Sequence, residues 1–307
     1  MDFSAPDAGA HVPVLREEVL RFLDPQPGQT VVDATLGSGG HALEILKRIG
    51  AEGRLIGIDQ DPAAIDRAKK NLKAFPRVSF FQNNFSDIDS ILHSLNLPSI
   101  DAVIMDVGLS SDQLADSSRG FSFQTEGPLD MRMDPDRTVT AKDLVNQLSA
   151  EELAALFKNY GEERWSRRIA RAIESQRLRG PIQTTGDLVR IIEKAVPKRF
   201  HFARLHPATR VFQALRISVN QELESLEAAL PKAFEALRAG GRLAVISFHS
   251  LEDRRAKQAF RRWKGEGRAR ILTPKPVQAG EEERANNSRA RSAKLRVLEK
   301  KEGEKSS

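Results

Sequence analysis

Carboxylates set beside a glycine turn are the residues of this chain with the clearest chemical use. Asp33 stands four residues before Gly37 in the run Asp33-Ala34-Thr35-Leu36-Gly37-Ser38-Gly39-Gly40. Asp59 ends the apolar stretch Leu55-Ile56-Gly57-Ile58, Asp61 follows it, and Asp106 ends Ala102-Val103-Ile104-Met105. An acid about twenty residues past the glycines is where a nucleotide-binding βαβ unit accepts hydrogen bonds from both ribose hydroxyls. A dinucleotide would also lay its pyrophosphate on the turn, and an acid as close as Asp33 repels phosphate. The pattern Gly-x-Gly-Gly also lacks the third glycine of the Gly-x-Gly-x-x-Gly fingerprint. Acidic strand ends suit a cation instead. S-adenosylmethionine offers a sulfonium and an ammonium without phosphate, so it is the expected cofactor. Phe85, just past a third strand, is placed either to stack on the adenine or to fill the core.

These residues reach one edge only if a parallel sheet carries them there. Residues 30–33, 55–59, 78–84 and 102–107 read as strands, the last nearly all apolar, as strands buried on both faces are. Helices expected at 15–23, 42–49, 61–72 and 88–95 alternate with them, which predicts a doubly wound sheet with the ligand at its carboxyl ends. Gly37, Gly39, Asp59, Phe85 and Asp106 all fall at those ends. The Asp-x-x-x-Gly-x-Gly run, with an acid ending the next strand, resembles the first two motifs of the Rossmann-like class I methyltransferases.

From about Leu114 to Arg210 the strands stop. Ser149-x-x-Glu152 and Thr184-x-x-Asp187 are capping boxes ahead of amphipathic runs. Between them, a helix over 162–179 places Arg164, Arg167, Arg168 and Arg171 on one face, with Trp165, Ile169, Ala172 and Ile173 opposite. Such a face is either solvated or set against phosphates. The sheet then resumes. A helix over 211–237 is expected to break near Pro231, followed by a turn at Ala239-Gly240-Gly241 and a fifth strand over 242–248. A basic helix over 251–263 and last strands at 270–272 and 295–298 follow, the final one able to run antiparallel. Residues 280–292 read as a mobile loop and 301–307 as a disordered tail. The expectation is an α/β chain: a Rossmann-like sheet domain, residues 1–113 and 213–307, with an inserted small all-helical domain, residues 114–212, for substrate recognition.

At 307 residues and 40% hydrophobic content the chain can bury a substantial core. Without cysteine it has no disulfide framework, thiolate nucleophile or zinc–thiolate site. The six histidines are scattered, and His249-x-x-Glu252-Asp253 matches no ligand spacing, so no metal is expected. Met1-Asp2-Phe3-Ser4 lacks a signal-peptide pattern and no apolar run approaches a membrane span, so a cytoplasmic protein is expected. The net charge of +6 favours a polyanionic partner. Oligomeric state stays open, a homodimer included.

Longer stretches carry a more specific resemblance. Gly37-Ser38-Gly39-Gly40-His41, Asp106-Val107-Gly108-Leu109-Ser110-Ser111, Arg119-Gly120-Phe121-Ser122-Phe123, Gly127-Pro128-Leu129-Asp130-Met131-Arg132-Met133-Asp134 and Ser247-Phe248-His249-Ser250-Leu251-Glu252-Asp253 stand in order along the chain. So do His11-Val12-Pro13-Val14-Leu15, Tyr160-Gly161-Glu162-Glu163-Arg164 and His206-Pro207-Ala208-Thr209-Arg210. Together they are similar to the bacterial small-subunit ribosomal RNA cytosine-N4 methyltransferases of the MraW, or RsmH, type. The resemblance implies methyl transfer from S-adenosylmethionine to the exocyclic amine of a cytidine in the decoding region of 16S ribosomal RNA, free or in the small ribosomal subunit. It also implies cofactor contacts at Gly39, Gly40, His41, Asp59, Phe85, Asp106 and Gln113; His41 and Gln113 come from the resemblance alone.

A cytosine amine is a poor nucleophile because its lone pair is delocalised into the ring. An acceptor must draw off an amine hydrogen while the nitrogen is aligned with the methyl group. Many amino-methyltransferases use an Asp/Asn-Pro-Pro-aromatic turn after the fourth strand. Here the turn is Asp106-Val107-Gly108-Leu109, and the retained acid, Asp106, is the expected catalytic acceptor, its alternative role being cofactor binding alone. Arg119, Phe121, Arg132 and His249 are the expected substrate contacts, with Phe123 and Ser250 beside them. For these the competing reading is structural: Phe121 in a core, Arg132 paired with Asp130 or Asp134. Two other functions remain to be separated by experiment, an NAD-dependent oxidoreductase and a non-catalytic RNA-binding module. Methylation of DNA or a small molecule would use the same core.

Overall fold

The computed structural model describes residues 13–201 and 205–302. His11, Val12 and the tail expected beyond Glu302 lie outside the described residues. The chain divides into two compact units, residues 1–108 with 223–307, and residues 109–222.

The first unit is built on alternating strands and helices. α1 (Arg16–Leu23), β1 (Thr30–Asp33), α2 (Gly40–Ile49), β2 (Arg54–Asp59), α3 (Pro62–Asn71), β3 (Val78–Gln82), α4 (Ile88–Ser94) and β4 (Ile100–Asp106) come first. After the second unit follow α11 (Glu222–Ala236), β5 (Leu237–Ser247), α12 (Ser250–Gly265), β6 (Ala269–Ile271), α13 (Glu281–Asn286) and β7 (Lys294–Lys300). The seven strands lie in the order β3-β2-β1-β4-β5-β7-β6. The first five are parallel and β7 is antiparallel to both its neighbours. The order reverses between β1 and β4, which is where a doubly wound sheet opens a crevice.

Strand alternation divides the apolar residues between two faces. Val31, Leu55, Ile104 and Ile246 pack with α1, α2 and α3, while Val32, Ile56, Val103 and Val245 pack with α4, α11 and α12. Both faces are covered, so the strands are apolar throughout, as expected.

The second unit is helical: α5 (Ser111–Ala115), α6 (Ala141–Gln147), α7 (Ala150–Gly161), α8 (Ser166–Arg177), α9 (Thr185–Ala195) and α10 (Ala208–Asn220). Ser149 and Thr184 form the expected capping boxes with Glu152 and Asp187. α8, α9 and α10 share one core through Ile169, Ile173, Leu188, Ile192, Val211 and Leu215. No helix among the described residues is long and apolar enough to cross a membrane.

Four expectations need correction. The boundaries fall at 108/109 and 222/223 instead of 113/114 and 212/213, because α10 buries Val211, Phe212 and Leu215 in the helical core. The helix expected over 211–237 breaks at Gln221, where φ is +51°, between α10 and α11, and α11 runs on through Pro231. A mid-helix proline costs about 3 kcal/mol. Burial of Leu223, Leu226, Leu230 and Phe234 along one face of α11 offsets it. The Ala239-Gly240-Gly241 turn is a bulge within β5, where the register to β4 jumps from Leu237 to Arg242. Residues 280–292 are an ordered segment, with α13, a 3-10 turn at Ser288–Arg291, Ala290 buried, and Glu283 accepting the Leu15 amide at 2.8 Å.

Candidate active site at the strand ends

The turn after β1 closes because Gly39 takes φ +88°, a conformation that side chains resist, and a Cβ there would stand 3.1 Å from Leu72. At Gly37, φ is +53° and no atom lies within 4 Å of the Cβ position, so the turn is open on that side. The Gly37 amide donates to Asp59 Oδ2 at 2.8 Å and the Asp61 amide to Oδ1 at 2.9 Å. Asp61 in turn caps α3, accepting from the Ala63 amide at 3.0 Å. Asp33 accepts from the Thr35 amide at 3.2 Å, and the Asp106 amide donates to Thr35 Oγ1 at 2.6 Å. Thr35 thus fastens β1 to β4 at the point where the order reverses. Its role escaped the sequence reading, because a threonine inside a glycine turn carries no signal of a cross-strand bond.

Burial governs the charges. It pushes the Asp33 carboxyl up to about 7 despite the Thr35 amide, with Asp106 and Asp59 nearby adding to the rise. Burial also raises Asp59 to about 6, against the Asp61 and Gly37 amides and Arg67. Asp106 is raised to about 6 by burial and by the charge of Glu252, opposed by Arg289. Asp106 Oδ1 is buried with no hydrogen-bond partner among the described residues, and Oδ2 lies 3.8 Å from Nε2 of buried His41 in the first turn of α2. Buried carboxylates that disfavour their own ionisation gain most from a cation brought among them.

Arg289 was not expected here. It comes from the segment read as a loop, and its guanidinium carbon stands 5.1 Å from the centroid of the Phe248 ring. That ring lies against Gly108, φ +113°, 3.2 Å from where a Cβ would be. The antiparallel return of β7 along β5 brings this segment to the strand ends, a pairing that local sequence does not reveal.

The other expected residues divide. Gly39, Gly40, His41, Asp59, Phe85 and Asp106 stand at or just past the carboxyl ends of β1, β2, β3 and β4. Phe85 begins a 3-10 turn, half-buried against the core that contains Ile58 and Ile88, so it serves the core and keeps one side accessible. Gln113 belongs to the helical unit, where its Oε1 accepts the Ser110 amide at 3.0 Å in a capping box. His249 caps α12, its Nε2 standing 3.0 Å from Glu252 Oε1.

Two of the expected substrate contacts have the structural partners that the competing reading gave them. Phe121 is buried in the helical core. Arg132 is held bidentate by Asp130, at 2.9 and 2.7 Å, and donates to the Pro135 and Arg137 carbonyls. Arg119 donates to the Arg132 and Met133 carbonyls at 2.8 and 2.9 Å. Buried Asn220 clamps the same loop, donating to Met131 O and accepting from the Met133 amide, each at 2.7 Å. Two glycines let its strands approach: a Cβ on Gly120 would lie 1.9 Å from Pro128 O, and one on Gly127 2.0 Å from Ser117 O. Spacing alone could not separate a rigid loop from an RNA-contacting one.

Residues 8–301 match the MraW methylase family. A protein of Geobacter sulfurreducens called ribosomal RNA small subunit methyltransferase H is 50% identical, the alignment covering 95% of this chain and 99% of its own length. Proteins of the same name from Clostridium botulinum (strain Loch Maree / Type A3) and Pelobacter propionicus are 47% and 49% identical, each covering 94% of this chain and 98% of its own. Agreement at this level over almost the whole length, glycine turn and helical unit included, means that the chain belongs to the MraW methylase family.

Proposed function

We propose that the protein transfers a methyl group from S-adenosylmethionine to the exocyclic N4 amine of a cytidine in the decoding region of 16S ribosomal RNA. The observation that carries the cofactor assignment is the group of acids around an open glycine turn, Asp33 buried and Asp59 and Asp106 half-buried, all with raised pKa, with Asp106 Oδ1 unsatisfied. A sulfonium and an ammonium answer that field, whereas a pyrophosphate would oppose it. The ribosomal RNA substrate is supported by the relatives' names, and the base and atom by the family resemblance that the 119–134 and 247–253 stretches carry most specifically.

Bound S-adenosylmethionine supplies an electrophilic methyl group. Asp59, already fixed by two backbone amides, keeps lone pairs for the ribose hydroxyls. Gly39, Gly40 and His41 line the amino-acid end and Phe85 offers a ring face to the adenine; Gln113 is a contact that the resemblance alone implies. Asp106 takes a hydrogen from the target amine, making the nitrogen more nucleophilic as it meets the methyl carbon. Arg119 and Arg132 act by holding their loop in shape, and His249 by ordering the start of α12.

Two measurements test the proposal. Calorimetry should find micromolar S-adenosylmethionine binding and none for NAD; the reverse result refutes the cofactor. Mass spectrometry of ribosomal RNA from cells with and without the gene should show N4-methylcytidine missing only in its absence.

A further inference from the structure

Several cations of the helical unit have no part in the chemistry above. α8 leaves Arg167, Arg168 and Arg171 exposed while burying Ile169, Ala170 and Ile173. Arg164, expected on that face, precedes the helix and is stacked, its guanidinium carbon 3.9 Å from the Phe200 ring centroid and 5.0 Å from that of Trp165. Arg168 lines a cavity of about 530 Å³ with Arg190, Lys194, Lys198, His201 and the acid Glu193. Glu193 lies 3.2 Å from His206, and Arg190 is engaged by Asp187 at 2.6 Å. The side chains of Arg168, Lys194 and Lys198 make no hydrogen bond or ion pair among the described residues. On the other flank of α8, Arg167, Arg171 and Lys158 line a second cavity of about 520 Å³, with the acid Glu151 at its wall.

In the sheet unit, Arg296 is bonded to Asp253 at 2.6 Å and Arg242 reaches Glu299 and Asp24, both at 3.3 Å. A surface kept merely soluble mixes its signs. Like charges gathered along both flanks of one helix repel each other, and that repulsion is relieved when several phosphates are neutralised together and their counterions released. A single small anion would fill one cavity and leave the other flank uncompensated.

We infer that the groove between α8 and α9 docks the phosphate backbone of the RNA substrate, with Arg168, Lys194 and Lys198 each meeting a phosphate. The inference rests on the function proposed above and adds where the RNA is gripped. Contacts of this kind set affinity and register and leave the choice of base to other groups.

The test uses the full chain carrying Arg168→Gln, Lys194→Gln and Lys198→Gln together, beside a charge-matched control, Lys69→Gln, Lys70→Gln and Lys73→Gln, on and just after α3. Small ribosomal subunits from cells lacking the gene serve as the probe. The groove variant should bind them about tenfold more weakly near 0.15 M salt, and its log–log salt dependence should be shallower by about 2. Its KM for subunits should rise while kcat and S-adenosylmethionine affinity hold. A groove variant that behaves like the control overturns the inference while leaving the function standing. A wild-type protein that methylates no ribosomal RNA brings down the function, and the groove with it.

Discussion

Both units concentrate charge of one sign, but one hides it and the other displays it. At the strand ends, acids are buried or half-buried and their proton affinities rise, Asp33 to about 7 and Asp59 and Asp106 to about 6. On the helical unit, Arg168, Lys194 and Lys198 stay exposed, where water and salt screen their repulsion. Buried like charge is costly and answers only a small ligand that enters and compensates it. Exposed like charge is inexpensive and acts on an extended partner through many weak contacts. The two arrangements thus specify different ligands, a compact cation and a polyanion.

Removing the central acid should show the largest effect. Asp106→Ala is expected to slow single-turnover methyl transfer by about 10²- to 10⁴-fold, the range of a lost general base. If instead the rate holds at saturating cofactor and only S-adenosylmethionine affinity falls, Asp106 is a cofactor ligand and no more. Gly120→Ala should then separate the units, because its Cβ would overlap Pro128 O in the 117–137 loop. The cost should be about 3 kcal/mol, seen as lower stability by denaturation and as loss of RNA methylation, with S-adenosylmethionine binding retained. Failure of cofactor binding as well would mean the units do not act separately.

Smaller effects sharpen the acidic side. Asp59→Ala orphans the Gly37 and Asp61 amides and removes the ribose acceptor, for a loss of about 2 kcal/mol in S-adenosylmethionine affinity by calorimetry. The smallest change should be in pH dependence. Burial raises the Asp106 pKa to about 6, so the carboxylate acceptor forms only as pH climbs through 6, and methyl transfer should rise there and level off above. Arg289 opposes that rise by favouring the ionised form, so Arg289→Gln should move the acid limb to higher pH without moving the plateau. A limb that stays in place would disconnect Arg289 from the site.

Much of this was legible in order along the chain. Periodicity placed the first four strands and the helices between them, and capping boxes at Ser149 and Thr184 marked the starts of α7 and α9. Features set by distant partners were not legible. Pro231 looked like a break because a proline signal is local, whereas the apolar face that keeps α11 intact faces a core the sequence does not display. The 280–292 segment looked mobile from its polarity, yet Glu283 and Ala290 fasten it. For Arg132 and Phe121 an RNA contact and a structural role were equally open, because residue type does not say whether a guanidinium is already satisfied or a ring already buried.

By itself the sequence determined the order of elements, the acids that end the strands, the glycine turn between them and the kinship of the chain. Those are properties of neighbouring residues, fixed by backbone preference and hydrophobic spacing. Tertiary structure alone decided which side chains keep their chemistry. Thr35 meets Asp106 across strands, Arg289 reaches the site from the far end of the chain, and Arg168 faces Lys194 and Lys198 across a groove. Charge and hydrogen bonding act through distance in space, and chain position does not encode that distance until the fold has closed.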